Sequence, residues 1–176
     1  MNLIARKLLL NLSVAVALLG LALTNPTAAM AKQDGKSLKH QIVGAWTLVS
    51  NTVVRPDGSK VDVFSTNPKG LYIFEKSGRF AVVNISPDLP KFASGNRMQG
   101  TADENKAIVT GSIALFGTYS VNEADKVLVL NVQGSTWPAW TGTEQKRPIT
   151  LKGDTLSWTL AASVGGTATV VIKRVK

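Results

Sequence analysis

The sequence contains no cysteine and a single histidine, His40, among its 176 residues. Without cysteine there is no disulfide framework, no thiol chemistry and no acylation site for a lipoprotein anchor, so the chain has to fold by packing alone. One histidine does not support a histidine-based nucleophile relay or a histidine-ligated metal. The 11 acids give no spaced pair on one inward face, which leaves glycosidase chemistry unsupported. We therefore expect no metal and no cofactor.

The chain also lacks any block of roughly five or six like charges. Lysine and arginine total 20 against 11 acids, a formal net charge of +9, but they are scattered through turns and both ends. Nucleic-acid-binding arms concentrate their charge, so we expect no nucleic-acid partner and interpret the excess as a solvated basic surface. Anionic lipid headgroups or polysaccharide are the alternative partners.

The beginning of the chain has the three parts of a secretory signal peptide. Arg6 and Lys7 precede an apolar run over residues 8–24, and an A-x-A pattern ends at Ala31. The run is short for a bilayer span of about 20 residues, although a retained membrane anchor is the alternative. We predict cleavage after Ala31 and a periplasmic or secreted protein with no stable membrane anchor.

Cleavage there removes 31 of the 176 residues and two cations, which leaves 145 residues and lowers the net charge from +9 to +7. A chain of that length buries one hydrophobic core and is too short for two comfortable domains. Residues 32–41 are predicted to be a disordered leader because they are mostly polar. Residues 42–176 are predicted to be the folded domain.

Short stretches of strand-forming residues, separated by turn signals such as Pro56-Asp57-Gly58 and Lys152-Gly153-Asp154, occupy most of this domain. In the first stretch, one face is formed by every second residue from Trp46 to Val54. The predicted strands cover residues 46–54, 61–64, 71–76, 79–85, 116–121, 126–133, 144–152, 155–161 and 167–175. Eight or nine strands in sequence order with short turns predict an all-β fold, an up-and-down antiparallel barrel or a closely related sandwich.

One helix interrupts the strand pattern. Residues 86–100 are rich in Pro, Ser, Gly and Asn, which is typical of a loop, and Thr101 and Glu104 then form a capping-box pattern. We predict a helix from about Thr101 to Gly111 and no other helix.

Strict alternation assigns inward and outward faces on the later strands. Within residues 144–152 the apolar face carries Gln145, Arg147, Ile149 and Leu151. A buried guanidinium is costly unless it is paired or stacked. Arg147 therefore either pairs with a buried acid or is the charged anchor of an apolar cavity.

A second arginine falls on an apolar row of the last strand. Arg174 continues the face formed by Ala168, Val170 and Ile172. We expect its guanidinium to lie over the indole of Trp46, a cation–π contact that closes the barrel bottom. A ligand contact is the alternative.

An ordered set of short motifs spans nearly the whole domain: Gly44-Ala45-Trp46, Asn67-Pro68-Lys69-Gly70-Leu71, Gly78-Arg79-Phe80, Phe116-Gly117-Thr118-Tyr119, Trp140-Thr141-Gly142-Thr143-Glu144-Gln145 and Gly153-Asp154-Thr155-Leu156. Through these motifs the sequence resembles the microbial lipocalin-like domain family. The resemblance implies an antiparallel lipocalin-like β-barrel with an internal cavity. True lipocalins carry small apolar molecules, and some microbial barrels of similar shape act as cyclases or isomerases. The family pattern often has a histidine at the position of Asn131, so an acid–base role tied to that position is in doubt here.

We expect a small apolar or amphipathic molecule to be bound or carried inside the barrel. Arg147 is the predicted polar anchor and two indoles are predicted at the mouth. The predicted ligand contacts are Arg147, Gln145, Trp137, Trp140, Tyr119, Tyr72 and Asn131. A cofactor-free cyclase or isomerase acting on such a molecule, and a basic surface protein binding anionic envelope material, are the alternative functions.

Overall fold

A computed structural model describes residues 37–176 of the chain. The predicted signal peptide, its cleavage site and the first half of the predicted leader, residues 32–36, lie outside the described residues. In chain order the described elements are α1 Leu38–Ile42, β1 Gly44–Val54, β2 Lys60–Asp62, β3 Lys69–Phe74, β4 Arg79–Ile85, α2 Ala102–Gly111, β5 Ser112–Asn122, β6 Val127–Ser135, a 3₁₀ turn at Pro138–Trp140, β7 Glu144–Lys152, β8 Thr155–Ala161 and β9 Thr167–Arg174.

The strands form one closed antiparallel barrel. Consecutive strands from β3 to β9 pair with each other, and β1 closes the ring by pairing with both β3 and β9. The ninth strand, β2, pairs only with the end of β1. The predicted all-β barrel is confirmed, and β4, β7 and β8 have the predicted bounds. Antiparallel strands joined by short turns close a ring because each hairpin brings the next strand beside the last.

The predicted helix is present as α2, with its capping box. Thr101 Oγ1 accepts a hydrogen bond from the Glu104 amide at 3.2 Å, and the Glu104 carboxylate accepts one from the Thr101 amide at 2.8 Å. The same carboxylate accepts a bond from the Ala93 amide at 2.8 Å, which ties the preceding loop to the helix. Within residues 37–176, no helix is long and apolar enough to cross a bilayer.

The prediction that α2 is the only helix is wrong, and so is the prediction of disorder for residues 38–41. Those residues belong to α1. The amides of Leu38 and Lys39 donate to the Glu123 carboxylate at 2.8 Å, and Ile42 is fully buried. A carboxylate from the β5–β6 turn satisfies amide groups at the start of this helix, so tertiary contacts order a segment that is polar in sequence.

Trp46 and α1 close one end of the barrel. The indole of Trp46 is fully buried and its Nε1 donates to the Ile42 carbonyl at 2.9 Å. The Arg174 guanidinium lies over this ring and donates to the carbonyls of Val43 and Gln41. The predicted contact between Arg174 and Trp46 is confirmed.

A bulge in β1 changes which side chains face the barrel interior. Leu48 and Ser50 pair with consecutive residues of β9, so Val49 is left over and is 48% exposed. An extra residue in one strand reverses the alternation beyond it. As a result Val53 is fully buried and Val54 is exposed, whereas strict alternation from Trp46 places Val54 on the buried face.

Candidate functional site

Arg147 lies in the middle of β7 with its side chain inside the barrel. The burial pattern of β7 alternates strictly around it: Lys146 and Pro148 are exposed, while Arg147 and Ile149 are buried. Arg147 is only 5% exposed. The predicted inward face of this strand is confirmed, because a regular antiparallel strand with alternating polarity has one register that buries its apolar residues.

The guanidinium of Arg147 has few partners for a buried cation. Its Nη2 donates to Gln145 Oε1 at 2.6 Å, and its central carbon lies 5.5 Å from the ring centroid of Trp158. Its Nε is buried without a hydrogen-bond partner. No acid among residues 37–176 forms an ion pair with it, so the alternative in which Arg147 pairs with a buried acid is wrong for the described part of the chain.

Burial lowers the pKa of Arg147 to about 10, with a small opposing effect from Tyr72. The group is still cationic near neutral pH. A buried cation without a counter-ion is destabilising, since the protein interior solvates charge poorly. Arg147 is therefore the point in the described barrel where an anion or a strong acceptor would be stabilised most.

A cavity of about 70 Å³ lies beside Arg147 inside the barrel. Two asparagines, Asn51 and Asn84, line it together with Arg147, and apolar side chains such as Phe64 and Leu115 form most of the remaining wall. The Oδ1 atoms of both asparagines are buried without a partner. The cavity thus combines one guanidinium with two amides in apolar surroundings.

Tyr72 contacts both the Asn84 amide and the Trp158 ring. Its hydroxyl accepts a hydrogen bond from Asn84 Nδ2 at 2.9 Å, and its ring packs edge-on against Trp158 with centroids 5.7 Å apart. Burial raises the pKa of Tyr72 to about 12, although Asn84 and Arg147 act in the opposite direction. At neutral pH Tyr72 is a neutral group that orients the Asn84 amide.

A second pocket, of about 250 Å³, lies on the outer side of Arg147. It shares Trp140, Arg147 and Leu160 with the interior cavity, and its wall is completed by Thr143, Gln145, Lys146 and Ala161. Arg147 therefore lies at the boundary between an interior space and a surface pocket.

Four of the predicted contact residues come together here. Arg147, Gln145 and Trp140 line the outer pocket, and Tyr72 reaches the cavity through Asn84. Trp140 is partly buried against the core and lines both spaces. These four residues come from three different parts of the chain, and the barrel closure places them side by side.

The structure does not bring the other three predicted residues to the cavity. Trp137 is 44% exposed and lines neither space. Tyr119 is buried near the β3–β4 turn, where its hydroxyl donates to the Glu75 carbonyl at 2.8 Å. Asn131 is exposed between two buried residues of β6, so it faces outward. The structure therefore places these three residues away from both spaces.

Two residues of the cavity, Asn51 and Asn84, were missed by the sequence analysis. Asn84 follows Phe80 and Val82 at every second position of β4, so alternation alone had the signal to place it inside. Asn51 lies beyond the bulge at Val49, which alternation does not reveal. Among the described residues, no group of three or more acidic or histidine side chains is placed to hold a metal ion.

Comparison with known proteins identifies the family of this chain. A model of the lipocalin-like domain matches residues 43–169. A redesigned β-barrel among the solved structures is similar, with 14% sequence identity, a TM-score of 0.41, and coverage of 80% of this chain and 100% of that chain. A comparison with curated proteins finds no match. Because the family model matches well over half of the 176 residues, the chain belongs to the lipocalin-like domain family.

Proposed function

We propose that this protein is an exported binding protein for a small amphipathic molecule, which it holds by a carboxylate or carbonyl at Arg147. The observation that carries the proposal is the buried guanidinium of Arg147, which has no acid partner among residues 37–176. A ligand carboxylate would supply the missing counter-ion and accept hydrogen bonds from the guanidinium.

The sizes of the two spaces indicate which part of the ligand each one would hold. Pockets for drug-sized ligands measure about 300–1,000 Å³, whereas the interior cavity measures about 70 Å³. Side chains fill the rest of the barrel, as is usual for eight strands. The cavity is therefore suited to a compact polar head. The apolar tail would lie in the outer pocket of about 250 Å³, along the part of its wall formed by Trp140, Leu160 and Ala161.

Titration of the purified protein with decanoate and with decanol tests this proposal. Isothermal titration calorimetry should show binding of decanoate and much weaker binding of decanol, because only the carboxylate pairs with Arg147. Arg147→Met keeps the apolar stem of the side chain and removes the charge, so it should weaken decanoate binding at least about tenfold.

Lys152→Met is the matched control. Lys152 is an exposed cation on the outer face of the same strand, and its removal changes the net charge equally. Equal loss of binding in both variants would indicate a general charge effect, and parent-like binding by Arg147→Met would refute the anchor role. Native mass spectrometry of protein from its own host would identify a retained ligand.

Export is a separate part of the proposal and has its own test. It is supported by the tripartite pattern of residues 1–31. The intact mass of protein from the exported fraction should correspond to a chain that begins after Ala31. Protein that keeps these residues and sediments with membranes would contradict export.

One observation favours the alternative of a cofactor-free cyclase or isomerase. Asn51 and Asn84 form a polar pair in the same cavity as Arg147, and such groups orient and polarise a substrate. Side-chain amides do not act as general acids or bases near neutral pH, however, so binding is the better supported function. Conversion of an added ligand to an isomer of the same mass, detected by chromatography, would favour the enzyme.

A further inference from the structure

The interior cavity contains acceptors that a plain carboxylate cannot satisfy. Asn84 is 4% exposed, and its Nδ2 donates to the Tyr72 hydroxyl at 2.9 Å. This bond uses the Nδ2 atom of Asn84 and leaves its Oδ1 atom available as an acceptor. The Oδ1 atoms of Asn84 and Asn51 are both buried without a partner among the described residues. A buried acceptor without a donor is destabilising, so a ligand that supplies a donor would stabilise either atom.

Two unrelated features of the backbone place these amides in the cavity. The bulge at Val49 turns Asn51 toward the interior. Gly70 lies opposite Asn84 in the β3–β4 pairing, and a Cβ at Gly70 would lie 2.5 Å from Asn84 Oδ1. The chain therefore makes room for the Asn84 amide at a position where any larger residue would displace it.

We infer, on the basis of the proposed function, that the ligand head carries a hydrogen-bond donor next to its carboxylate. An α-hydroxy acid or an N-acyl amino acid has this chemistry. Its carboxylate would pair with Arg147, and its hydroxyl or amide N–H would donate to Asn84 or Asn51. An ionised fatty acid has acceptors only, so it would leave both Oδ1 atoms unpaired. The cavity volume of about 70 Å³ suits such a compact head.

Competition between α-hydroxydecanoate and decanoate tests this inference, since the two differ by one hydroxyl. The parent protein should prefer the hydroxy acid by about tenfold, the effect of one buried hydrogen bond. Asn84→Leu and Asn51→Leu should each reduce that preference while they still bind decanoate. Two variants are used because Asn84→Leu also leaves the Tyr72 hydroxyl without its donor and could fail to fold.

Asn131→Leu is the matched control, because Asn131 is exposed on the outer face of β6. This variant should keep the full preference. Equal binding of the two acids by the parent would overturn the inference, and so would a preference that both Asn84→Leu and Asn51→Leu retain. In either case decanoate binding through Arg147 would leave the proposed function intact. Binding of neither acid would refute both.

Discussion

Arg174 of the last strand lies over Trp46 of the first, with 4.2 Å between the guanidinium carbon and the ring centroid. The same guanidinium donates to the Val43 carbonyl at 2.9 Å and to the Gln41 carbonyl. Asp154 lies 3.8 Å from Arg174 Nε. One side chain thus joins the two strands that close the ring and the segment that caps it. By contrast Arg147, which is buried, has one hydrogen bond and no ion pair within the described residues.

Arg174→Met should therefore destabilise the protein by about 2–4 kcal/mol, through loss of charge-assisted hydrogen bonds and of the cation–π contact. Chemical denaturation at neutral pH measures the free energy of unfolding. Lys173→Met is the control, because Lys173 is an exposed neighbour. A change below about 0.5 kcal/mol for Arg174→Met would show that Trp46 and α1 close the barrel without it.

The same substitution at Arg147 should have the opposite effect. Arg147→Met removes a buried charge that lacks a counter-ion and replaces it with an apolar chain of similar length. We expect unfolding free energy to stay the same or rise by up to about 4 kcal/mol. The measurement is denaturation without ligand. A loss of about 3–5 kcal/mol would instead show that Arg147 is a structural residue whose contacts with Gln145 and Trp158 stabilise the fold.

Tyr72 should make stability fall at high pH. Its pKa is raised to about 12 by burial, while an unfolded tyrosine ionises near 10. Below pH 10 both states keep the proton. Between pH 10 and about 12 only the unfolded state releases it, so stability falls across this interval. Tyr72→Phe should remove that part of the pH dependence, at a neutral-pH cost of about 1 kcal/mol from the lost Asn84 bond.

A spectroscopic titration checks the pKa directly. The chain has two tyrosines, so Tyr119→Phe leaves Tyr72 as the only one. The ultraviolet absorbance of that variant should show phenolate formation near pH 12. A midpoint near 10, the value for a solvated tyrosine, would contradict the burial of Tyr72.

Deletion of Val49 should be tolerated, because Val49 is the surplus residue of the bulge. Its removal restores ordinary alternation and leaves Asn51 and Val53 facing inward, so we expect a folded barrel that is less stable by about 1–2 kcal/mol. Deletion of Thr52 is the comparison, since it turns Val53 outward and should prevent folding. Circular dichroism and thermal unfolding distinguish the two. Equal damage in both would show that the bulge does not set the faces.

The predictions from sequence agree with the structure where the local pattern of residues is strong. The inward faces of β7 and of the end of β9 were predicted because polar and apolar residues alternate there without interruption. The capping box of α2 was predicted because its two hydrogen bonds join Thr101 and Glu104, which are close in sequence. The contact between Arg174 and Trp46 was predicted because a charged residue on an apolar row near a barrel end has few aromatic partners.

Three predicted contact residues lie away from the cavity because they were chosen by residue type. Binding sites commonly contain polar or aromatic residues such as Tyr119, Trp137 and Asn131. Residue type alone does not show which way a side chain faces. Asn131 lies between two buried residues of β6, so its side chain is on the outer face of that strand. Tyr119 does lie inside, but its hydroxyl is already used by the Glu75 carbonyl.

The sequence by itself determined the all-β class, the helix α2 and the presence of an inward arginine at position 147, because each follows from contrasts between neighbouring residues. Only the tertiary structure decided that Asn51 faces the cavity, that Glu123 orders α1, and that Arg147 lacks an acid partner in the described barrel. A bulge depends on hydrogen bonding between two strands, and counter-ions and helix partners come from distant segments. Such relationships exist only once the ring is closed.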